Sequence, residues 1–142
     1  MLPAFSTIQL FILASASLAL TACSPNPPRP APPDPLPAAT LAAEGETLYS
    51  QACAMCHFAG EGGDLAPALR GAPSVTAQDP AALIDAVLQG RINQSATRPG
   101  IMPAQAYLTD REIASILTYI RREFGGPGDP VQPAAVFKRR ER

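Results

Sequence analysis

A chain of 142 residues is long enough for one small domain plus extensions. Its formal net charge of −1 at pH 7 gives no global field that would attract nucleic acid or anionic lipid. With 3 cysteines and 1 histidine, a network of structural disulfides is excluded and a structural zinc site is disfavoured. The 17 prolines are unevenly distributed, and their positions mark the organisation of the chain.

Residues 1–22 are predicted to be a signal peptide, because they are small and apolar and end in Leu20-Thr21-Ala22 before Cys23. The segment resembles a bacterial lipoprotein signal, which is cut before a cysteine that then carries acyl chains. Two or more chains give stable anchoring, since each buried methylene contributes about 0.8 kcal/mol. No Lys or Arg precedes the apolar run, so a plain secretory peptide and an uncleaved membrane helix remain open alternatives.

Residues 23–39 are predicted to be the lipidated cysteine and a proline-rich linker. Eight prolines between residues 24 and 39 exclude a helix and favour extended polyproline II. At about 3.1 Å per residue, such a segment reaches roughly 40 to 50 Å. A semi-rigid stalk and a spacer of no tuned length are both consistent with this composition.

A small helical domain is predicted over residues 40–126. Thr40 is the expected N-cap of its first helix, and Leu41, Leu48 and Tyr49 follow at helical spacing. Gly45 interrupts this helix at a cost of about 1 kcal/mol, which is understandable if another backbone approaches closely there.

Two further helices have well-marked boundaries. One takes Asp79 as its N-cap and Pro80 as its first residue, and Gly90 ends it. The other begins with a capping box formed by Thr109 and Glu112 and ends at a pair of glycines. Their core-facing residues recur at helical spacing and are Leu83, Ile84, Val87, Leu88, Ile113, Ile116, Leu117 and Ile120.

The segment Cys53-Ala54-Met55-Cys56-His57 contains C-x-x-C-H, the attachment sequence for c-type haem. Two thiols on one helical turn can each form a thioether bond to a haem vinyl group, and the adjacent histidine supplies one axial ligand of the iron. A thiol redox pair would need a strand–turn–helix context, whereas a helix and a Gly/Pro loop flank this motif. The motif therefore predicts one covalent haem c.

The second axial ligand is predicted to be Met102. The chain has no second histidine, Met1 lies in the signal peptide, and Met55 lies inside the haem motif. Met102 precedes Pro103 in an irregular loop between two helices, 45 residues after His57. A gap-filling role in the core is the alternative. Ligation by histidine and methionine would raise the reduction potential relative to two nitrogen ligands.

These residues, in this order, resemble the class I c-type cytochromes, which carry one haem with His/Met ligation. The resemblance covers residues 40–126 and implies an all-α protein with the small cytochrome c fold, in which three to five helices wrap around one covalently bound haem. Gly45, Tyr49 and Tyr119 match positions at which the family packs its first helix against its last.

The resemblance also assigns roles to two residues of the loop after the haem motif. Pro67 would lend its backbone carbonyl to Nδ1–H of His57, which fixes the orientation of the imidazole ring. Leu69 would pack against the porphyrin. An ordinary proline turn is the alternative for this segment.

The stretch from Gly100 to Gly125 looks like cytochromes c associated with periplasmic dehydrogenases. This resemblance implies an electron-transfer protein and not an enzyme, with a dehydrogenase as donor and an oxidase or another cytochrome as acceptor. Together with the lipoprotein-type signal before Cys23, it predicts a lipid-anchored protein in the periplasm. A fixed cytochrome subunit of a quinoprotein or flavin dehydrogenase complex is the main alternative. A haem sensor or peroxidase-like enzyme is a minor one, because Met102 would block the open iron position that it needs. Inner and outer membrane both remain open.

The surface of the domain is mildly acidic, since residues 40–126 contain six arginines and nine acidic residues. A lysine-ringed docking face is therefore not expected; Arg91 and Arg98 could form a local positive rim, and apolar contact around the haem edge is the expected docking mode. Residues 127–142 form a basic tail, interpreted chiefly as a solvated, disordered end, with contact to lipid headgroups or an acidic partner as the alternative.

Overall fold

Six helical segments and one short hairpin make up the computed structural model, which describes residues 34–94, 100–127 and 129–142. The described residues belong to one compact unit, Ala31–Arg142. The predicted signal peptide, Cys23, most of the linker and Arg98 lie outside the described residues. The elements are α1 (Ala38–Ala52), α2 (Ala54–His57), α3 (Pro73–Thr76), α4 (Ala81–Gln89), β1 (Arg91–Asn93), β2 (Gly100–Met102), α5 (Asp110–Glu123) and α6 (Pro133–Arg140).

The predicted all-α class is confirmed, since the only sheet in the described residues is the three-residue hairpin of β1 and β2. The number of helices exceeds the expected three to five because α6 was not predicted, and because α2 and α3 are single turns. In the described ranges, no helix combines the length and the apolar character needed to cross a membrane.

The packing of α1 on α5 organises the core. A Cβ atom at Gly45 would overlap the carbonyl oxygen of Ser115 and lie 2.8 Å from Cβ of Tyr119, so only glycine allows this approach. The rings of Tyr49 and Tyr119 lie beside this crossing, with centroids 5.3 Å apart. The predicted contact between Tyr119 and the first helix near Gly45 is therefore confirmed.

The core lies between α1, α4, α5 and α6. The predicted apolar stripe of α4 is confirmed, because all four of its residues are buried. The other buried hydrophobic residues of the core come from α1, α3, α5 with its C-cap, and the C-terminal segment. They include Leu41, Val75, Ile113, Ile116, Leu117, Ile120, Phe124, Val131 and Val136.

Two predicted helix starts were wrong, the first by three residues and that of α4 by one. The first helix begins at Ala38, so Thr40 lies inside it, and Leu41 N–H donates to the carbonyl of Pro37 over 3.1 Å. The helix α4 begins at Ala81, after Pro80, while the carboxylate of Asp79 accepts from Ala81 N–H over 2.9 Å. Proline has no N–H to satisfy, and it therefore precedes the first helical residue at little cost in both helices.

The capping box of α5 is confirmed. Glu112 N–H donates to the hydroxyl of Thr109 over 3.2 Å, and Thr109 N–H donates to the Glu112 carboxylate over 2.8 Å. These reciprocal bonds satisfy two of the backbone N–H groups that a helix start leaves without partners. They fix the point where the chain passes from the loop after Met102 into α5.

The C-terminal segment differs from the expected solvated end. Residues 133–140 form α6, which packs on α4 and α5, and the side chains of Val131 and Val136 are fully buried. Thr118 accepts a hydrogen bond from Val131 N–H over 3.0 Å. The prediction of a solvated end rested on the basic residues, whereas burial of two valines five residues apart determines the packing of this segment.

Candidate functional site

The two cysteines lie where α1 turns into α2. Cys53 closes α1, and the N–H groups of Cys56 and His57 both donate to its carbonyl, over 3.1 and 3.0 Å. Both cysteines are free thiols. Burial raises the pKa of Cys53 to about 11, and the neighbouring Cys56 adds a smaller rise, so this thiol stays protonated at neutral pH. Cys56 is exposed. One helical turn thus carries both thiols and the histidine.

His57 is largely buried, and its Nδ1 lies 3.1 Å from the carbonyl oxygen of Pro67. Because a carbonyl oxygen only accepts, Nδ1 carries the proton, which leaves the lone pair of Nε2 available to a metal. This contact is the one that the resemblance implies for Pro67. A carbonyl fixed in this way also sets the plane of the imidazole ring.

Glycines bend the loop after His57 back onto the histidine. Gly62 has φ +70°, and a Cβ atom there would lie 2.5 Å from the carbonyl carbon of Pro67. Gly63 N–H donates to the carbonyl of Ala66 over 2.8 Å, and Leu69 N–H donates to that of Gly60 over the same distance. These contacts hold Pro67 against His57 and leave Leu69 partly buried against the core.

Met102 ends β2, where it pairs with Arg91, and its side chain is partly buried against the core. Gly90, at φ +72°, lets the end of α4 approach the next segment, because a Cβ atom there would lie 2.5 Å from the Met102 carbonyl oxygen. The segment then joins α4 again through Gln105 N–H, which donates to the carbonyl of Val87 over 2.8 Å.

The histidine loop and the methionine strand come together at Gly100. The Cβ position of Gly100 lies 3.6 Å from the carbonyl oxygen of Leu65, in the loop after His57. Leu65 is 62% exposed, and the cross-strand partners Ile92 and Ile101 are 71% and 75% exposed. Three large apolar side chains thus stay in contact with solvent on the histidine loop and the two strands of the hairpin.

Sequence reasoning did not single out Leu65, Ile92 or Ile101. Each is an apolar residue in a short irregular or three-residue segment, where no periodicity distinguishes a ligand-facing side chain from a core one. Ile92 and Ile101 are cross-strand partners in the hairpin, and this pairing is the signal that could have found them. The hairpin itself was not predicted.

The chemical groups of this region fit a covalently attached haem. Cys53 and Cys56 offer free thiols, His57 offers Nε2, and Met102 offers a soft thioether sulfur. The exposed apolar side chains nearby offer a surface that a largely apolar macrocycle would cover. Together with the helical fold, this set of groups defines a c-type cytochrome domain.

The comparisons with known proteins agree with that class. A family model described as "Cytochrome C oxidase, cbb3-type, subunit III" matches residues 40–120, more than half of the chain, and the chain belongs to this family. None of the curated proteins matches it. The protein therefore has a cytochrome c domain with covalently bound haem c, and it acts in electron transfer with redox partner proteins rather than as a catalytic enzyme. The match ends within α5, so α6 lies beyond it.

Proposed function

We propose that this protein is a membrane-anchored, periplasmic monohaem cytochrome c that carries single electrons from a dehydrogenase to a higher-potential acceptor such as a terminal oxidase. In this proposal Cys53 and Cys56 form the thioether bonds, and His57 and Met102 are the axial ligands. The observation that carries the proposal is the meeting of the His57 loop and the Met102 strand at Gly100, in a chain with no second histidine.

Bound haem supplies a reversible one-electron change at its iron. The residues of the chain would control that change. The carbonyl of Pro67 orients His57 and makes its Nε2 a better donor. The thioether of Met102 favours the reduced iron and so raises the potential. Leu65 and Leu69 would cover the macrocycle and limit the access of water.

Anchoring is proposed from the sequence, since Cys23 and residues 24–33 lie outside the described residues. Acylated Cys23 would hold the protein at a bacterial membrane, and the proline-rich linker would let the domain reach partners above the surface. Cell fractionation of the Cys23→Ala variant tests this part: the haem protein should move from the membrane fraction to the soluble periplasmic fraction. Retention in the membrane would contradict lipid anchoring through Cys23.

A fixed subunit of a larger oxidoreductase complex is the second candidate. The family description names an oxidase subunit, which favours stable association with a respiratory complex. The two candidates differ in purification: a shuttle elutes alone after gentle detergent extraction, whereas a fixed subunit elutes with its partners.

The carrier role is tested with purified holoprotein and membranes from cells that lack it. Membranes supplied with a dehydrogenase substrate should reduce the added protein, and membranes with an active oxidase should reoxidise it. Each transfer should saturate with protein concentration, as expected for weak and transient docking. A protein that is neither reduced nor reoxidised by these membranes would contradict a carrier role.

A further inference from the structure

The C-terminal helix α6 lies outside the family match and nevertheless contacts the segment that follows Met102. We propose that α6 is a clamp on residues 103–109, and that Arg140 is a positioning residue that keeps Met102 on the haem iron. This inference rests on the proposed function, since it takes Met102 as the axial ligand.

The guanidinium of Arg140 binds three groups of one short stretch of chain. Its Nη1 donates to the carbonyl of Ala106 over 2.6 Å, and its Nη2 donates to the carbonyl of Leu108 over 2.7 Å. Its Nε donates to the carboxylate of Asp110 over 2.8 Å. The first two acceptors lie between Met102 and α5, and the third is on the first residue of α5, so one side chain fixes the path by which residues 103–109 enter that helix.

The neighbouring Arg139 fastens α6 to α4. It makes a two-point ion pair with Asp85, in which Nε donates to Oδ1 over 2.7 Å and Nη2 donates to Oδ2. Both side chains are less than a third exposed. Residues 103–109 also bind α4 directly, because Gln105 N–H donates to the carbonyl of Val87. The helix α6 therefore bridges α4 and residues 103–109.

The clamp has a firm base. Val136 and Val131 are fully buried, and the amide of Gln132 exchanges hydrogen bonds with the backbone of Leu36, over 2.9 and 3.1 Å. The N-terminal half of α6 is thus held by the core, while its C-terminal half holds the loop. This attachment to the core is needed, because a frayed α6 would move together with residues 103–109 and would not restrain them.

The consequence concerns how often Met102 leaves the iron. For the sulfur to move away with its segment, residues 103–109 must shift, and the hydrogen bonds of Arg140 to Ala106 and Leu108 must lengthen or break, while its bond to Asp110 keeps the guanidinium fixed on α5. Hydrogen bonds to a charged donor are stronger than neutral ones, although partial exposure of Arg140 reduces their contribution. Without Arg140, the state in which Met102 is detached should become about tenfold more populated.

The test compares wild-type holoprotein with Arg140→Met, which keeps the aliphatic stem and removes the donors. Lys138→Met is the matched control: it removes one positive charge from an exposed position of the same helix, and Lys138 makes no hydrogen bond or ion pair with the described residues. Covalent haem content is measured first, as the pyridine haemochrome. The readout is the rate at which saturating imidazole displaces Met102 from ferric protein, followed by loss of the weak long-wavelength iron–sulfur band.

The expected result is displacement about tenfold faster in Arg140→Met and within twofold of wild type in Lys138→Met. Arg140→Lys, which keeps the charge without the three-pronged geometry, should lie between them. Thermal unfolding followed by circular dichroism separates a local effect from a global one, since the displacement rate should change under conditions where the fold is fully populated. If Arg140→Met does not load haem, Arg139→Met tests the same clamp at its other end.

Equal displacement rates in Arg140→Met and Lys138→Met would overturn the clamp while leaving His57/Met102 ligation intact. A wild-type protein without the iron–sulfur band would instead overturn the proposed ligation, and with it the clamp. These two failures are therefore distinguishable.

Discussion

The histidine side of the proposed haem site is assembled by residues close together in the chain, whereas the methionine side is held by segments far apart in it. His57 and its carbonyl partner Pro67 are ten residues apart and share one glycine-rich loop. Met102 depends on the end of α4 at Gly90 and on Arg140, which acts 32 and 34 residues from its carbonyl partners. The first side needs only local turns to form, while the second needs the completed core and α6.

This difference predicts that the methionine side is the more easily disrupted of the two. Local hydrogen bonds reform within one segment, but a loop held by distant elements opens whenever any of them moves. Substitutions on the methionine side, in the helix packing that supports it and at its α5 cap should therefore differ in the size of their effects.

Replacing Met102, the proposed axial ligand, should have the largest effect. Met102→Ala should keep the haem covalently attached, open the sixth coordination position to carbon monoxide and lower the reduction potential, because the thioether that favours ferrous iron is gone. Optical spectra and redox titration measure these changes. Met55→Ala is the control, since Met55 is exposed within the haem motif and should leave both unchanged. An unchanged potential in Met102→Ala would remove Met102 as a ligand.

Closing the α1–α5 crossing should have the next largest effect. Gly45→Ala places a methyl group against the Ser115 carbonyl, and the backbone shift should cost about 3 kcal/mol, which outweighs the better helix propensity of alanine. Denaturant unfolding measures the loss. Gly71→Ala is the control: it has φ +69° and open space around its Cβ position, so only backbone strain of about 1 kcal/mol applies. Equal losses in the two variants would contradict the close approach at Gly45.

Truncating the base of α6 should have an intermediate effect. Val136 is fully buried, so Val136→Ala should cost about 1 to 2 kcal/mol in the free energy of unfolding and should also speed displacement of Met102. Urea unfolding and imidazole binding report the two consequences. Lys138→Ala, on the exposed face of the same helix, should cost nothing measurable. If both variants behave alike, the C-terminal segment is the solvated tail that its charge suggested.

The capping box of α5 should give the smallest effect, and it depends on pH. Hydrogen bonds from the backbone and hydroxyl of Thr109 hold the pKa of Glu112 below its usual value of about 4.3. A carboxyl whose pKa is lower when folded stabilises the protein above its unfolded pKa, and this contribution is lost as pH falls through the folded pKa. The stability advantage of wild type over Glu112→Gln should therefore shrink below about pH 4.

Urea unfolding at several pH values measures this change. Glu46→Gln on α1 controls for the loss of one carboxylate elsewhere on the protein. A Glu112→Gln difference that stays constant down to about pH 3 would show that the carboxylate form of Glu112 adds nothing to the cap.

Much of the helical frame could be predicted from the sequence. The stripe of α4 and the capping box of α5 were visible because periodicity and capping chemistry are local. The family-type contact between Gly45 and α5 followed from the resemblance. The helix starts were less accurate, because proline can stand just before a helix as well as inside its first turn.

The hairpin and α6 could not be predicted, for different physical reasons. Strands of three residues are too short to show alternation, so Arg91 and Met102 became partners only in the folded chain. The helix α6 has little helical pattern of its own, and its order depends on burying Val131 and Val136 against a core formed by other elements. The partners of Arg139 and Arg140 could not be predicted either, because they become neighbours of α6 only when it packs on the core.

The most direct test of the central claim is the optical spectrum of purified full-length protein, oxidised and reduced, with and without carbon monoxide. His57/Met102 ligation predicts a low-spin c-type spectrum that carbon monoxide does not change, with the weak iron–sulfur band in the oxidised form. Ready binding of carbon monoxide by the wild-type protein would mean an open iron position, and it would contradict both the ligation and the carrier role.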